Sequence, residues 1–258
     1  MVPYALQIGS FSIHWYGVMA AIGFLIASYL LGKNYRFVNG LTKDQCDTMI
    51  IIALVAGLIG ARTYHVIEFF HEDGFDRDLL SIFYLHRGGL VFYGGFILAF
   101  VSVVFYTRKH KLDTIRVLDV FIPSLTAAHA CGRIGCFLNG CCHGKATTWF
   151  WGVTAPEGSR LWFATRGLPV HPVQLLEAAE NIVLCIISML ALRKGAKRGT
   201  VISSYLIVYG ILRFINETLR VDKKYIFNLT GAQCICLLLI ASGSGLLFYS
   251  LRHEHKKA

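Results

Sequence analysis

Apolar residues run through this chain in long blocks, broken by short polar stretches rich in Lys and Arg. Runs long enough to cross a bilayer, about 17–25 residues each, fall near 12–32, 47–69, 89–107, 117–139, 172–192, 199–219 and 229–251. Each predicts a helix, because lipid supplies no water to backbone N–H and C=O groups and a helix pairs them internally. The fourth, fifth and sixth runs also carry polar residues. The pattern therefore predicts an all-α, polytopic integral membrane protein of about seven transmembrane helices, forming a single domain over 1–258. The longest stretch between runs, about 140–171, contains Trp149, Phe150, Trp151, Trp162 and Phe163. Aromatic residues favour the membrane–water boundary, so this loop is expected to lie on the membrane surface.

Composition supports lipid as the solvent: 55% of residues are hydrophobic and 16% charged, with a mean hydropathy of +0.55, against roughly 25% charge in soluble domains. Met1 to Ser10 lacks a basic leader region, so no cleavable signal peptide is expected. The formal charge of +10 raises nucleic acid as a partner, and its distribution argues against it. Lys33, Arg36 and Lys43, then Arg108, Lys109, Lys111 and Arg116, then Arg193, Lys194, Lys197 and Arg198, and finally Arg252, Lys256 and Lys257 fall on one side if the spans alternate. They outnumber Arg77, Arg87, Lys145, Arg160, Arg166, Arg220, Lys223 and Lys224 on the other. The positive-inside rule then places the N-terminus outside and the C-terminus in the cytoplasm, which requires an odd number of spans.

Three arginines, Arg62, Arg133 and Arg213, lie within or at the edge of the apolar runs. A cation near the bilayer centre costs at least about 2.5–3.5 kcal/mol on insertion scales, so each needs a partner or a wet cavity. Arg213 shares one helical face with Tyr209, Asn216, Glu217 and Arg220. An Arg213–Glu217 structural pair explains part of that stripe. Arg220 adds a second cation toward the outer end, where a phosphate could sit. Arg133 shares a face with Cys136 and Gly140, and glycines at 132, 135, 140 and 144 allow close approach of backbone or ligand. The segment reads as a helix breaking into a loop that lines a cavity. The fifth run opens at His171-Pro172, and Gln174, Glu177 and Asn181 point inward together. Either Glu177 or Glu180 could serve as counter-ion to the arginines.

Cys131, Cys136, Cys141, Cys142 and His143 cluster in sequence, yet the cysteine spacings of five, five and one fit neither zinc nor iron–sulfur patterns. No metal and no cofactor are expected. A disulfide on an oxidising outer face is open to Cys141 or Cys142. Cys46, Cys185, Cys234 and Cys236 read as small apolar fillers.

With these segments in hand, the sequence resembles the prolipoprotein diacylglyceryl transferases of the bacterial inner membrane. The residues that carry the likeness are His14-Trp15-Tyr16-Gly17, Arg87-Gly88-Gly89-Leu90-Val91-Phe92-Tyr93-Gly94-Gly95, Gly132-Arg133-Ile134-Gly135 through Gly144, His171-Pro172-Val173-Gln174 through Glu177, and Tyr209-Gly210 through Arg213, Glu217 and Arg220. The resemblance implies a single catalytic domain that transfers the diacylglyceryl group of phosphatidylglycerol to the lipobox cysteine of a preprolipoprotein signal peptide. The products would be a thioether and glycerol 1-phosphate, with the lipid bilayer and those two substrates as partners and no nucleic acid. It implies catalytic roles for Arg133, Arg213, Tyr93 and His171. Substrate binding would fall to Tyr16, Arg87, Gly94, Gly95, Asn139, Gly144, Gln174, Glu177, Tyr209, Glu217 and Arg220. Tyr93 stands where many members have a histidine, and Cys136 and Cys141 where some have asparagine and glutamate. A phenol is a poor proton acceptor at neutral pH, so His171, Glu217 and an arginine-bound phosphate oxygen all stand as alternative bases. The competing readings are a transporter of an anionic substrate and another phospholipid-headgroup enzyme. Ionisable residues within spans also line transport paths, but the Gly-Arg and Tyr-Gly motifs do not repeat between the two halves.

Overall fold

A computed structural model describes residues 4–8, 11–71, 75, 78–84, 89–221, 225 and 228–254. Arg87 lies outside the described residues. The helices are α1 (Trp15–Asn34), α2 (Lys43–Glu68), α3 (Phe92–Lys109), α4 (Thr114–Asn139), the short α5 (Arg160–Thr165), α6 (Val173–Arg193), α7 (Thr200–Glu217) and α8 (Gly231–Glu254). Each of the seven apolar runs corresponds to one of the long helices. Four segments are both long and apolar enough to cross a membrane: Trp15–Phe37, Lys43–Glu68, Val173–Arg193 and Gly231–Arg252. The shortfall from seven reflects the polar residues that α4 and α7 carry inside their apolar pattern and the basic end of α3.

One correction concerns the first run. The expected helix from about residue 12 begins at Trp15, and the chain before it forms an antiparallel hairpin of β1 (Tyr4–Ile8) and β2 (Phe11–His14). The fold is all-α apart from this short hairpin. Phe11-Ser12-Ile13 alternates with period two, the strand pattern that a hydropathy window averages away.

The chain divides into two compact units, 34–117 and a second made of 1–33 with 118–258. In the unit of 34–117, α2 begins at a reciprocal cap in which the Thr42 side chain and the Gln45 backbone, and the Gln45 side chain and the Thr42 backbone, bond each other. Glycines let α2 and α3 approach closely. A Cβ on Gly94 would collide with the Tyr64 Cβ and the Gly60 carbonyl, and one on Gly95 would lie 2.7 Å from the Gly57 carbonyl. Arg62 of α2 is buried, with Nε donating to the Ile82 carbonyl at 2.7 Å, NH2 to Ser81 at 2.7 Å and NH1 to Gly89 at 3.1 Å. This cation of the second apolar run therefore ties Ser81, Ile82 and Gly89 to α2.

In the larger unit, α7 packs along α8, with Gly210 against Cys236 and Ile240 and Gly243 against Ser203, Leu206 and Ile207. Gly135 of α4 lies against Tyr16 and Met19 of α1. Asp119 of α4 is fully buried and accepts from the backbone N–H of Gly199 at 2.6 Å and of Ile202 at 2.9 Å. It thereby serves the free donors of α7's first turn. The stretch after α4 returns to α6 through short backbone pairings of Gly144 with Arg220 and of Val170 with Ala146 and Val153. Trp149, Phe150, Trp151 and Phe163 are exposed along it.

Candidate active site

The last two turns of α4, the first turns of α6 and the end of α7 converge on a buried charged cluster. Helical spacing places Arg133 one turn beyond His129, Glu177 one turn beyond Val173, and Glu217 one turn beyond Arg213. Gln174, Glu177 and Asn181 are all buried, as the inward stripe predicts, and so are Asn216 and Glu217.

Glu177 is the hub. Its Oε2 lies 2.6 Å from Arg133 Nε and its Oε1 3.3 Å from Arg213 NH1. Arg213 NH1 is also 2.6 Å from Glu217 Oε2, and Arg220 Nε stands 3.7 Å from that same oxygen. Three guanidinium groups thus meet two carboxylates. The Arg133 contact runs through Nε, which also donates to His129 Nε2 at 3.2 Å, and is not the parallel two-bond fork of a closed Arg–carboxylate pair. Neither Glu177 oxygen nor Arg213 NH1 is in a hydrogen bond of good geometry. The cluster is held by charge, with directional bonding capacity in reserve.

Of the two candidate counter-ions, Glu177 takes that place. Glu180 instead accepts from Asn216 Nδ2 at 2.7 Å. Around the cluster, Gln174 Nε2 donates to the Cys141 carbonyl at 2.6 Å and Arg220 NH1 to the Cys142 carbonyl at 3.1 Å. Tyr209 stacks on Tyr205 and faces His129. Tyr16 lies where α1 crosses Gly135, and Asn139 is the last residue of α4. Gly144 is enclosed: an added Cβ would sit 2.7 Å from His171 Cβ and 2.8 Å from both the Leu219 carbonyl and Val173 Cγ2. Its N–H donates to the His171 carbonyl at 2.9 Å.

His171 Nδ1 accepts from Trp151 Nε1 at 2.8 Å. That bond assigns the ring proton of the neutral imidazole to Nε2, so the histidine presents a donor there. Trp151, His171, Pro172, Val173, Leu176 and Leu219 line an apolar cavity of about 210 Å³. Tyr93, Gly94 and Gly95 belong to the unit of 34–117. There Tyr93 is exposed beside Phe92, and the two glycines pack α3 on α2.

The sequence reading passes over three residues of this site. His129 lies one turn before Arg133 on its face, a signal that periodicity offers. Thr230 donates to Glu217 Oε1 at 2.8 Å while its own Oγ1 accepts from the Gln233 N–H at 3.2 Å. The Thr-x-x-Gln spacing marks it as a helix cap, but nothing local points it toward Glu217. Trp151 reads from sequence only as an interfacial aromatic.

Comparison with known proteins gives the family. Residues 3–249 match the family model described as prolipoprotein diacylglyceryl transferase. A phosphatidylglycerol–prolipoprotein diacylglyceryl transferase of Clostridium kluyveri is 33% identical over 249 residues, covering 96% of each chain. One of Clostridium botulinum strain Langeland is 31% identical over 256 residues, 99% of this chain and 100% of the relative. Because the match runs through both units and every helix contributing to the buried cluster, the chain belongs to the prolipoprotein diacylglyceryl transferase family.

Proposed function

We propose that this protein transfers the diacylglyceryl group of phosphatidylglycerol to the cysteine thiol of a preprolipoprotein signal peptide, and that the cluster around Glu177 is where it does so. One observation carries the assignment of the site: Arg133 and Arg213, on different helices, meet on a single buried carboxylate. In the reaction, the acceptor sulfur attacks the glyceryl carbon that bears the phosphate. A C–S bond forms, the C–O bond breaks, and glycerol 1-phosphate leaves with the electron pair. Arg133 and Arg213 hold the phosphate and stabilise charge as that bond lengthens, with Arg220 as the outer cation. Glu177 keeps the guanidinium groups positioned when no lipid is bound and yields them to it.

The acceptor thiol must lose its proton to become a nucleophile. The Nδ1 of His171 is occupied by Trp151, and Glu217 is engaged by Arg213, Arg220 and Thr230. The proton acceptor we favour is therefore an oxygen of the arginine-held phosphate. His171 and Gly144 position the outer wall, with Asn139, Gln174 and Tyr209 shaping the chamber and Tyr16 at its α1 side. The roles of Tyr93, Arg87, Gly94 and Gly95 rest on the family likeness of the motif that holds them. The apolar cavity beside His171 suits a nonpolar portion of either substrate.

The two units act as one catalytic domain in the bacterial inner membrane. α3, α4 and α7 join the four apolar helices as spans, with the N-terminus outside and the aromatic loop on the outer surface. The test uses purified protein in phosphatidylglycerol vesicles with a lipobox peptide. Mass gain on the peptide cysteine and release of glycerol 1-phosphate are expected, and a serine in place of that cysteine abolishes both. Near wild-type transfer by an inserted, folded Arg213→Ala protein would overturn the assignment. Substrate uptake without lipid cleavage would favour a transporter.

A further inference from the structure

Next to the charged cluster lies a group of side chains that the transfer reaction does not use. The sulfurs of Cys136, Cys141 and Cys142 all lie within 4.8 Å of one another, and none is in a disulfide. The chain reaches this arrangement by a specific local route. α4 ends at Asn139, Gly140 takes φ +71°, the Cys141 N–H returns to the Cys136 carbonyl at 3.1 Å, and Cys142 sits at φ +62°. A left-handed backbone is costly for a residue with a Cβ, which makes Cys142 more than a convenient small filler. The spacing along the chain fits no common zinc pattern because a helix terminus and a left-handed turn, not paired knuckles, bring the sulfurs together.

Metal–sulfur bonds of about 2.3 Å require ligand sulfurs roughly 4 Å apart, a distance these three reach with small side-chain rotations. Charge fits as well. Three thiolates around a divalent ion leave one net negative charge, and Arg220 and Arg133 act electrostatically on Cys142. We propose that Cys136, Cys141 and Cys142 form a three-thiolate site for a thiophilic divalent metal ion of the zinc class, its fourth position filled by water. The carbonyls of Cys141 and Cys142 hold Gln174 and Arg220, so an ion here stiffens the segment that bounds the anion site. Metal binding stands independently of the transferase reading.

The test is a titration of the chelator-treated full-length protein with Zn²⁺ and, as a chromophoric probe, Co²⁺. About one equivalent per chain is expected, with a thiolate-to-cobalt charge-transfer band, since structural sites of this kind bind one ion. Loss of even an outer-shell partner costs about 10–100-fold in affinity, so Cys136→Ser or Cys141→Ser should weaken binding by at least that factor, while Cys234→Ala leaves it unchanged. A measurement on the wild-type chain guards against misfolded variants: Zn²⁺ should shield these three thiols from maleimide, identified by peptide mapping. Absence of both the band and the protection would overturn the proposal. So would six titratable thiols in the denatured, unreduced protein in place of the eight cysteines of the sequence, because a disulfide would then hold two of them.

Discussion

The carboxylate of Glu177 stands 2.6 Å from the Nε of Arg133, and its second oxygen is 3.3 Å from Arg213. Two cations that arise from helices far apart in sequence thus share one acidic residue, with Glu217 a second partner of Arg213 at 2.6 Å. Removing one partner of a buried ion pair costs about 3–5 kcal/mol because the remaining charge is left uncompensated. Glu177→Ala should lower thermal stability in detergent by an amount of that order. Glu177→Gln, which keeps an acceptor oxygen but loses the charge as well, should cost nearly as much, and a Gln variant that melts with the wild type would show that charge is not what Glu177 contributes.

Arginine and lysine differ at this site in geometry, not in charge. Loss of one preorganised donor to a developing anion lowers turnover by roughly 10²–10³-fold, and Arg133→Ala or Arg213→Ala should fall at least that far in peptide lipidation. Arg→Lys at either position retains the cation but loses the planar fork. Initial rates should lie between wild type and alanine at both positions, since Arg133 and Arg213 each reach their carboxylates through one nitrogen.

Gly144→Ala places a methyl group against His171, Leu219 and Val173. Overpacking of this kind costs about 1–3 kcal/mol, and here it pushes on the pairing of Gly144 with Arg220. Lipidation should drop more than stability does. Gly94→Ala, at the α2–α3 crossing, should show a loss of stability visible in a melting curve.

Asp119 supports α7 at a distance from the cluster. Asp119→Ala leaves the Gly199 and Ile202 N–H groups without their acceptor, at about 1–3 kcal/mol for a buried donor. Hydrogen exchange should accelerate selectively in the first turn of α7, and unchanged protection there would show that the cap is dispensable.

Hydrogen bonds from the Cys136 and Cys141 thiols, followed by the charges of Arg220 and Arg133, hold the Cys142 thiol below its ordinary range, whereas Cys141 is raised. A depressed thiol keeps its reactive thiolate as the pH falls. In metal-free protein Cys142, which is exposed, should be alkylated under mildly acidic conditions where Cys141 is spared. Arg220→Ala should move the onset of Cys142 labelling to higher pH.

The positions of the long helices were legible in the sequence, because a run of apolar residues in lipid leaves the backbone little choice but to bond itself. Positions within a helix were legible for a related reason: the 3.6-residue repeat alone puts Arg213, Glu217 and Arg220 on one face and turns Gln174, Glu177 and Asn181 inward together. The short hairpin before α1 escaped because its pairing is between strands rather than within a run. Which acid serves the arginines was a different kind of question. Glu177 and Glu180 are equally available along α6, and only the rotation of that helix against α4 and α7 selects Glu177 and sends Glu180 to Asn216. Thr230 on Glu217 and Trp151 on His171 likewise depend on how separate segments meet, and the three sulfurs depend on the left-handed turn that closes α4. Spacing encodes the angle between side chains on one helix, whereas contacts between helices depend on crossing geometry and rotation that packing of the whole unit decides.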